Sequence, residues 1–138
     1  MRALITGGSG YFGSLLVNRL LSNNWECRIL DLNEFNGDSE VEFIKGDVRN
    51  IELLNNACNK VDVVFHNVAQ VPLAKDKDLF NSVNIDGTIN ILKASVDNEV
   101  KKIIYTSSSA VYGVPSINPV TEKMTPIPKE DYGKAKYI

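Results

Sequence analysis

Short apolar runs alternate with amphipathic segments along this chain. The runs predict five β-strands, over residues 2–6, 26–31, 41–45, 61–66 and 100–106. The run at 61–66 is apolar apart from Asp62 and its final histidine, which is typical of a parallel strand that is buried on both faces. Polar segments separate the runs, and the one at 32–40, which contains a glycine, predicts a loop.

Helical spacing of apolar residues predicts helices between these strands. They cover 11–21, 50–58 and 77–98, and a last helix begins near Glu130. The apolar positions that support the first and third helices are Leu15, Leu16, Leu20, Leu21, Leu79, Val83, Ile91 and Leu92. Gly87 interrupts the third helix, and Trp25 is expected to pack over the end of the first. The alternation of strands and helices, broken only by the loop at 32–40, predicts an α/β fold, a doubly wound parallel sheet with helices on both faces.

A glycine-rich turn lies between the first strand and the first helix. Gly8, Gly10 and Gly13 have the Gly-x-Gly-x-x-Gly spacing, and Asp31 ends the second strand about 20 residues further on. Glycines let the chain turn sharply and leave room for a pyrophosphate at the amide groups of a helix N-terminus. The turn, its flanking elements and the acid together predict a Rossmann-type dinucleotide-binding domain.

Acidic residues at two further strand ends refine the predicted cofactor. A carboxylate at Asp31 can accept hydrogen bonds from both adenosine ribose hydroxyls and would repel a 2′-phosphate, which favours NAD over NADP. Asp47 follows the third strand, where its carboxylate can accept a hydrogen bond from the adenine amino group. The backbone amide of Val48 can serve a ring nitrogen of the same base.

A tyrosine and a lysine in the last helix form a candidate acid–base pair. Tyr132 and Lys136 are four residues apart and therefore share a helix face. Ionising a free tyrosine at pH 7 costs about 4 kcal/mol. A cation ~4 Å away contributes about 4 kcal/mol at an effective dielectric constant of ~20. Lys136 could thus make Tyr132 a workable base, while a hydroxyl among residues 107–109, after the fifth strand, could hold the substrate's reacting oxygen.

Composition narrows the possible partners. The 138 residues are 43% hydrophobic and 23% charged, which is ordinary for one globular domain. A net charge of −2 argues against nucleic acid or an anionic membrane as the main partner. No signal peptide or membrane span is visible, so we expect a cytoplasmic protein whose two cysteines, Cys27 and Cys58, are reduced. The single histidine, His66, excludes a His-based zinc site, and no metal site is predicted.

Taken in order, these motifs resemble the extended short-chain dehydrogenase/reductases, specifically the NAD-dependent epimerase/dehydratase family. The segments that carry the resemblance are 6–13, Asp31, 46–49, 65–70, 84–88, 105–113 and 132–136. The resemblance implies catalytic roles for Ser108, Tyr132 and Lys136, with Ser108 placed four residues before Tyr112 of Val-Tyr-Gly. It implies cofactor contacts for Gly7, Gly10, Tyr11, Phe12, Gly13, Asp31, Asp47, Val48, Asn67, Val68, Ala69, Asn84, Tyr132 and Lys136. His66 is interpreted as a scaffold residue.

The chain departs from the family pattern in three places. Residues 67–69 read Asn-Val-Ala, a bulkier lining near the nicotinamide ribose than the family's usual residues. Ser109 and Ala110 replace the Asp-Glu pair of the family's dehydratases, so dehydration is not expected. Family members also continue well beyond residue 138. Residues 1–138 are therefore expected to be an incomplete Rossmann domain, truncated after the fifth strand and without the substrate-binding region.

The resemblance favours an NAD-dependent oxidoreductase or epimerase acting on a nucleotide-sugar by reversible hydride transfer. Two alternatives stay open: a 3β-hydroxysteroid-type dehydrogenase with the same three catalytic residues, and a non-catalytic domain that senses NAD. The full-length form is expected to be a homo-oligomer. The isolated chain is expected to be inactive and mobile after about Pro119.

Overall fold

The computed structural model describes residues 1–37, 40–71 and 76–137. Two predicted elements extend beyond these ranges: the loop at 32–40 includes residues 38 and 39, and residue 138 follows the start of the last predicted helix near Glu130.

The described strands form one parallel sheet of five strands. They are β1 (Arg2–Thr6), β2 (Glu26–Asp31), β3 (Glu42–Lys45), β4 (Val63–His66) and β5 (Lys102–Tyr105). Their order in the sheet is β3-β2-β1-β4-β5, so the chain returns to the centre after β3 and continues on the other side of β1. The α/β class and the parallel, doubly wound sheet are thereby confirmed.

The helices connect the strands on both faces of the sheet. They are α1 (Tyr11–Leu21), α2 (Ile51–Cys58), α3 (Lys77–Asn81), a π-helical turn (Ser82–Asp86), α4 (Gly87–Asp97), a 3₁₀ turn (Ser109–Tyr112) and α5 (Asp131–Tyr137). Asn50 caps α2 by accepting a hydrogen bond from the Leu53 amide. Asp76 caps α3 in the same way through the amides of Asp78 and Leu79.

Two cores lie on opposite faces of β1 because successive strand residues point to opposite sides. On one face Leu4 packs with Leu54 of α2 and Ile91 of α4. On the other face Ile5 packs with Val17 and Leu20 of α1. Both faces of β1 are therefore buried, and its carboxyl end, where the glycine turn begins, is held rigidly between β2 and β4.

Some helix faces differ from the sequence prediction. The buried stripe of α1 is formed by Gly13, Val17 and Leu20, whereas the side chain of Leu15 is 53% exposed. Leu92 of α4 is also exposed. Trp25 has the expected core role: it packs against the α1 core, with its ring centroid 6.4 Å from that of Phe65.

The predicted helix at 77–98 is three helical pieces. The irregular part is the π-helical turn, which precedes Gly87, and Gly87 itself has helical dihedral angles. A Cβ at Gly87 would lie 2.7 Å from a methyl group of Val48, so glycine is required there for close packing rather than for breaking the helix.

Candidate functional site: a dinucleotide cavity beside a Ser-Tyr-Lys cluster

A cavity of about 300 Å³ opens at the carboxyl ends of β1 to β4. Eight of the residues that were predicted to bind the cofactor line it: Gly7, Gly10, Asp31, Asp47, Val48, Asn67, Val68 and Ala69. Ligands of open α/β sheets bind at this edge, where the strand order reverses. Residues that are far apart in the sequence thus meet in one cavity of a size suited to a small-molecule ligand.

The glycine turn forms one wall of the cavity through close backbone packing. Gly7 has a φ of 73°, a left-handed conformation that favours glycine. A Cβ on Gly13 would collide with the Gly7 carbonyl oxygen, so a side chain there would push α1 away from the turn. A Cβ on Gly10, in contrast, would meet only the Gly7 oxygen at 3.4 Å and otherwise open space.

Asp31 faces the glycine turn from the end of β2. One carboxylate oxygen accepts from the Ser9 amide at 3.0 Å, and the other accepts from the Asn33 amide at 2.9 Å. Each carboxylate oxygen can accept a further hydrogen bond. Asp31 is therefore oriented by the backbone and retains acceptor capacity toward the cavity.

Asp47 is held by a neighbouring arginine. The Arg49 guanidinium donates to both carboxylate oxygens, with its Nη2 at 2.6 Å, and the Arg49 amide donates at 2.9 Å. Hydrogen bonding from the Arg49 side chain is the main reason that the pKa of Asp47 lies below its usual value. The next residue, Val48, is buried. Arg49 thus keeps Asp47 ionised and fixed in place at the adenine end that was predicted for the cofactor.

The side chain of Asn67 connects the cavity to the end of β5. Its Oδ1 accepts a hydrogen bond from the Thr106 hydroxyl at 2.6 Å. Its Nδ2 is buried and has no hydrogen-bond partner among the described residues. A buried donor without a partner costs about 1–3 kcal/mol. The cavity wall therefore contains a hydrogen-bond donor, Asn67 Nδ2, that has no acceptor in the described part of the chain.

Asn84 supports the cavity from behind rather than lining it. It is buried in the π-helical turn, where its Oδ1 accepts from the Gln70 amide and its Nδ2 donates to the Gln70 carbonyl. Asn84 thus clamps the segment that follows β4, of which Gln70 lines the cavity. π-Helical turns are frequent at functional sites.

His66 is part of a buried hydrogen-bonded chain. The Thr6 hydroxyl accepts from the Asn67 amide and lies 2.7 Å from His66 Nδ1, so its proton is free to be donated to that nitrogen. His66 Nε2 then donates to the Thr88 hydroxyl at 3.2 Å, and Thr88 donates to the Asn84 carbonyl. Burial, together with the charge of Lys136, lowers the pKa of His66 to about 4. The ring is neutral at pH 7, which suits the scaffold role expected from the sequence.

The three predicted catalytic residues lie outside the cavity lining, beyond the end of β5. Ser108 is half-buried, and its Oγ accepts from the Ala110 amide at the start of the 3₁₀ turn. Tyr132 is half-buried on α5, with its ring centroid 6.4 Å from that of Phe80. A Cβ on Gly133 would collide with the Ala110 carbonyl, so the close packing of α5 on the 3₁₀ turn depends on this glycine.

Lys136 is buried, with 5% of its surface exposed. Its ammonium group donates to the Thr106 carbonyl at 3.1 Å and lies 4.5 Å from the centre of the Tyr105 ring. Burial lowers the pKa of Lys136 to about 8, so the group is still mainly charged at pH 7. Thr106 therefore connects Lys136 to the cavity. Its carbonyl accepts from the lysine, and its hydroxyl donates to Asn67, which lines the cavity.

Two predicted cofactor residues at the start of α1 are not part of the cavity lining. Tyr11 and Phe12, in the first turn of α1, are 87% and 56% exposed. The lining also includes residues that were not proposed from the sequence, namely Ser9, Leu32, Asn33, Gly46, Gln70 and Val83. Most of these adjoin a residue that was proposed, and extending each motif by two positions would have found them.

The glycine turn, the acidic strand end and the cavity where the strand order reverses define a dinucleotide-binding α/β domain. The chain belongs to the NAD dependent epimerase/dehydratase family, whose model matches residues 3–138. This confirms the resemblance, and the family's cofactor is NAD.

Relatives in sequence and in structure agree with this family. Protein y4nG of Sinorhizobium fredii is 53% identical over 97% of the chain, which covers 34% of that protein. The UDP-glucose 4-epimerase of Halalkalibacterium halodurans is 34% identical over 99% of the chain, covering 43% of that protein. The crystal structure of Thermus thermophilus UDP-glucose 4-epimerase in complex with NAD matches 99% of the chain with a TM-score of 0.90 and 33% identity, covering 47% of that structure. The chain thus spans between a third and a half of these proteins.

The residues of this cavity fit a dinucleotide. Gly10 borders open space where a phosphate needs room, and the Asp31 carboxylate has free acceptor capacity. Within the described ranges, no cluster of three or more His, Cys, Asp or Glu is placed to hold a metal ion. Among the same residues, no helix has both the length and the apolar character that crossing a membrane requires.

Proposed function

We propose that this chain binds NAD in the cavity at the sheet edge and supplies the acid–base residues of a nucleotide-sugar epimerase. The observation that carries the proposal is the cavity itself, which brings Gly10, Asp31 and Asp47 together from the ends of three neighbouring strands. The epimerase relatives and their NAD complex support the cofactor and the class of substrate.

NAD, when bound, supplies a hydride acceptor that can return the hydride to the oxidised substrate carbon. Tyr132 removes the proton from the substrate hydroxyl and returns it in the reverse step. Lys136 stays cationic at pH 7 and stabilises the tyrosinate, being one helical turn away on α5. Since α5 packs on the 3₁₀ turn through Gly133, Tyr132 and Ser108 belong to one structural unit.

Ser108 is the proposed anchor for the reacting oxygen of the substrate. Among the described residues its hydroxyl accepts a hydrogen bond from the Ala110 amide and donates none, which leaves its proton for donation to a ligand. Ser109 and Ala110 provide no carboxylic acid beside it. This favours epimerisation or oxidation over dehydration, which needs an acid and a base to eliminate water.

Binding measurements on the 138-residue chain test the cofactor directly. We expect NAD to bind more tightly than NADP in titration calorimetry, because the Asp31 carboxylate would repel a 2′-phosphate. Asp31→Ala should reduce this preference by about tenfold or more, since a hydrogen bond to a charged group contributes about 1.5–3 kcal/mol. Asp97→Ala, at the exposed end of α4, is the matched control and should bind both cofactors as the parent does. Equal or tighter binding of NADP by the parent chain would contradict the proposal.

A further inference from the structure

We infer that Tyr105 is a positioning residue for Lys136: its aromatic ring, fixed at the end of β5, holds the lysine ammonium group where the acid–base cluster needs a cation. The catalytic role of Lys136 in this inference rests on the proposed function. The contact between Tyr105 and Lys136 rests on the geometry at the end of β5.

The first step is the environment of the ammonium group. Lys136 is 5% exposed, so water supplies little of its solvation. The Thr106 carbonyl accepts one of its three protons, and the Tyr105 ring lies 4.5 Å from the nitrogen. A cation over the negative face of an aromatic ring is stabilised, and the effect is larger when the pair is shielded from water. Consecutive residues of one strand end thus provide the contacts that hold the charge.

The second step is the rigidity of the ring. Tyr105 pairs with His66 in the register of β4 and β5, and the two rings are stacked, with centroids 5.7 Å apart and planes inclined by 18°. Burial raises the pKa of Tyr105, opposed by hydrogen bonding with the Thr88 side chain, so the phenol is neutral at pH 7. His66 is itself fixed by Thr6 and Thr88. The ring that contacts Lys136 is therefore held by the strand that also forms the cavity wall.

The third step is the chemistry that this position requires. A leucine could fill the space but has no negative face for the ammonium group. In the part of the chain that the structure describes, the ionisable groups coupled to Lys136 are Tyr105 from β5, through the ring contact, and His66 from β4, whose pKa the lysine charge lowers. Tyr132 lies one helical turn away on α5. Tyr105 and His66 are both neutral at pH 7. Without a carboxylate among these neighbours, the aromatic ring is the side chain that favours the charged form of the lysine.

Two substitutions of Tyr105 distinguish stabilisation of the lysine charge by the aromatic ring from simple filling of space by the side chain. In the 138-residue chain with ¹³C-labelled lysine, NMR titration follows the pKa of Lys136 directly. Tyr105→Phe keeps the ring and should leave that pKa unchanged. Tyr105→Leu keeps water out but removes the ring, and should lower the pKa by about one unit, the size expected for a shielded cation–π contact. Identical pKa values in the leucine variant and the parent would overturn the inference.

A second measurement covers the case in which Tyr105→Leu fails to fold. The ε-methylene protons of Lys136 should be shifted upfield by the ring in both the parent and Tyr105→Phe. Unshifted resonances in the parent would overturn the inference without any further variant.

NAD binding shows whether the position of Lys136, as set by Tyr105, affects the cofactor site. Calorimetry should give weaker NAD binding for Tyr105→Leu than for Tyr105→Phe, with AMP binding equal in the two, because the effect belongs to the nicotinamide end. Equal NAD binding by the two variants would contradict the inference. Absence of NAD binding by the parent chain would instead contradict the proposed function, and the Lys136 titration would still decide the role of Tyr105.

Discussion

The titration of His66 makes the free energy of unfolding depend on pH between about 4 and 6.5. Its pKa is about 4 in the folded protein, mainly because burial disfavours the charged ring, and 6.5 in an unfolded chain. The unfolded state therefore binds more protons between these values, and stability falls as the pH decreases from about 6.5 towards 4. We expect a loss of about 2 kcal/mol between pH 7 and pH 5 in urea unfolding.

The control for this prediction is His66→Gln, which removes the titrating ring. Because the chain has only one histidine, the variant should unfold with nearly the same free energy at pH 7 and pH 5. A parent chain whose stability is flat over this range would mean that the His66 ring is charged or solvated in the folded state.

Substitutions at the acid–base cluster test the assignment of the catalytic hydroxyls. In the complete protein, Tyr132→Phe should lower turnover by about 10²–10⁴-fold, because proton transfer by a side chain contributes that much. NAD affinity should be nearly unchanged, since the phenol is not part of the cavity lining. Ser108→Ala should also impair turnover, and the neighbouring Ser109→Ala, which alters an exposed hydroxyl, much less. Greater damage from Ser109→Ala would show that the wrong serine was assigned.

At the level of single residues, the sequence predicted the ends of strands better than the contacts between side chains. Asp31 and Asp47 line the cavity because a parallel sheet brings its carboxyl ends to one edge, which follows from the order of elements alone. The hydrogen bond between Asn67 and Thr106 could not be predicted, because it joins residues 39 positions apart that directly follow two adjacent strands. The stack of Tyr105 on His66 likewise requires the register of β4 and β5, which no local pattern contains.

At the level of elements, the glycine turn offers a paired test of binding against packing. Gly10→Ala places a methyl group in open space beside the cavity, with only an ordinary contact of 3.4 Å to the Gly7 oxygen. Gly10 has an extended backbone that alanine adopts freely. We therefore expect the variant to keep the parent's melting temperature but to bind NAD at least tenfold more weakly, because the methyl group occupies space that the phosphates need.

Gly13→Ala is the comparison variant, in which the packing of α1 against the glycine turn is disrupted. Its methyl group would collide with the Gly7 carbonyl, so both thermal stability and NAD binding should decrease. Differential scanning calorimetry and cofactor titration on the two variants make the comparison. If Gly10→Ala proved as destabilising as Gly13→Ala, the turn would not have the backbone arrangement described.

Helix boundaries followed the sequence where the end signals are local and departed from it where tertiary packing decides. The bounds of α1 agree with the apolar spacing and its polar end. The π-helical turn before α4 was not predicted, because it depends on Asn84 reaching the backbone of Gln70 on another segment. Exposure of Leu15 and Leu92 has the same origin: the core selects one of several apolar stripes, and the spacing alone does not tell which.

At the level of the whole molecule, the sheet has an edge that can pair with another chain. Among the described residues β5 pairs only with β4, and Ile104 at its centre is 39% exposed. An unpaired strand presents backbone donors and acceptors, and natural edges are often protected by lysine. We therefore predict that the 138-residue chain self-associates as its concentration rises, and that Ile104→Lys reduces this association in sedimentation velocity. Val114→Lys, in an exposed loop position, should leave the association unchanged. A parent chain that sediments as a monomer at all concentrations, or equal effects of the two lysines, would exclude the β5 edge as the contact.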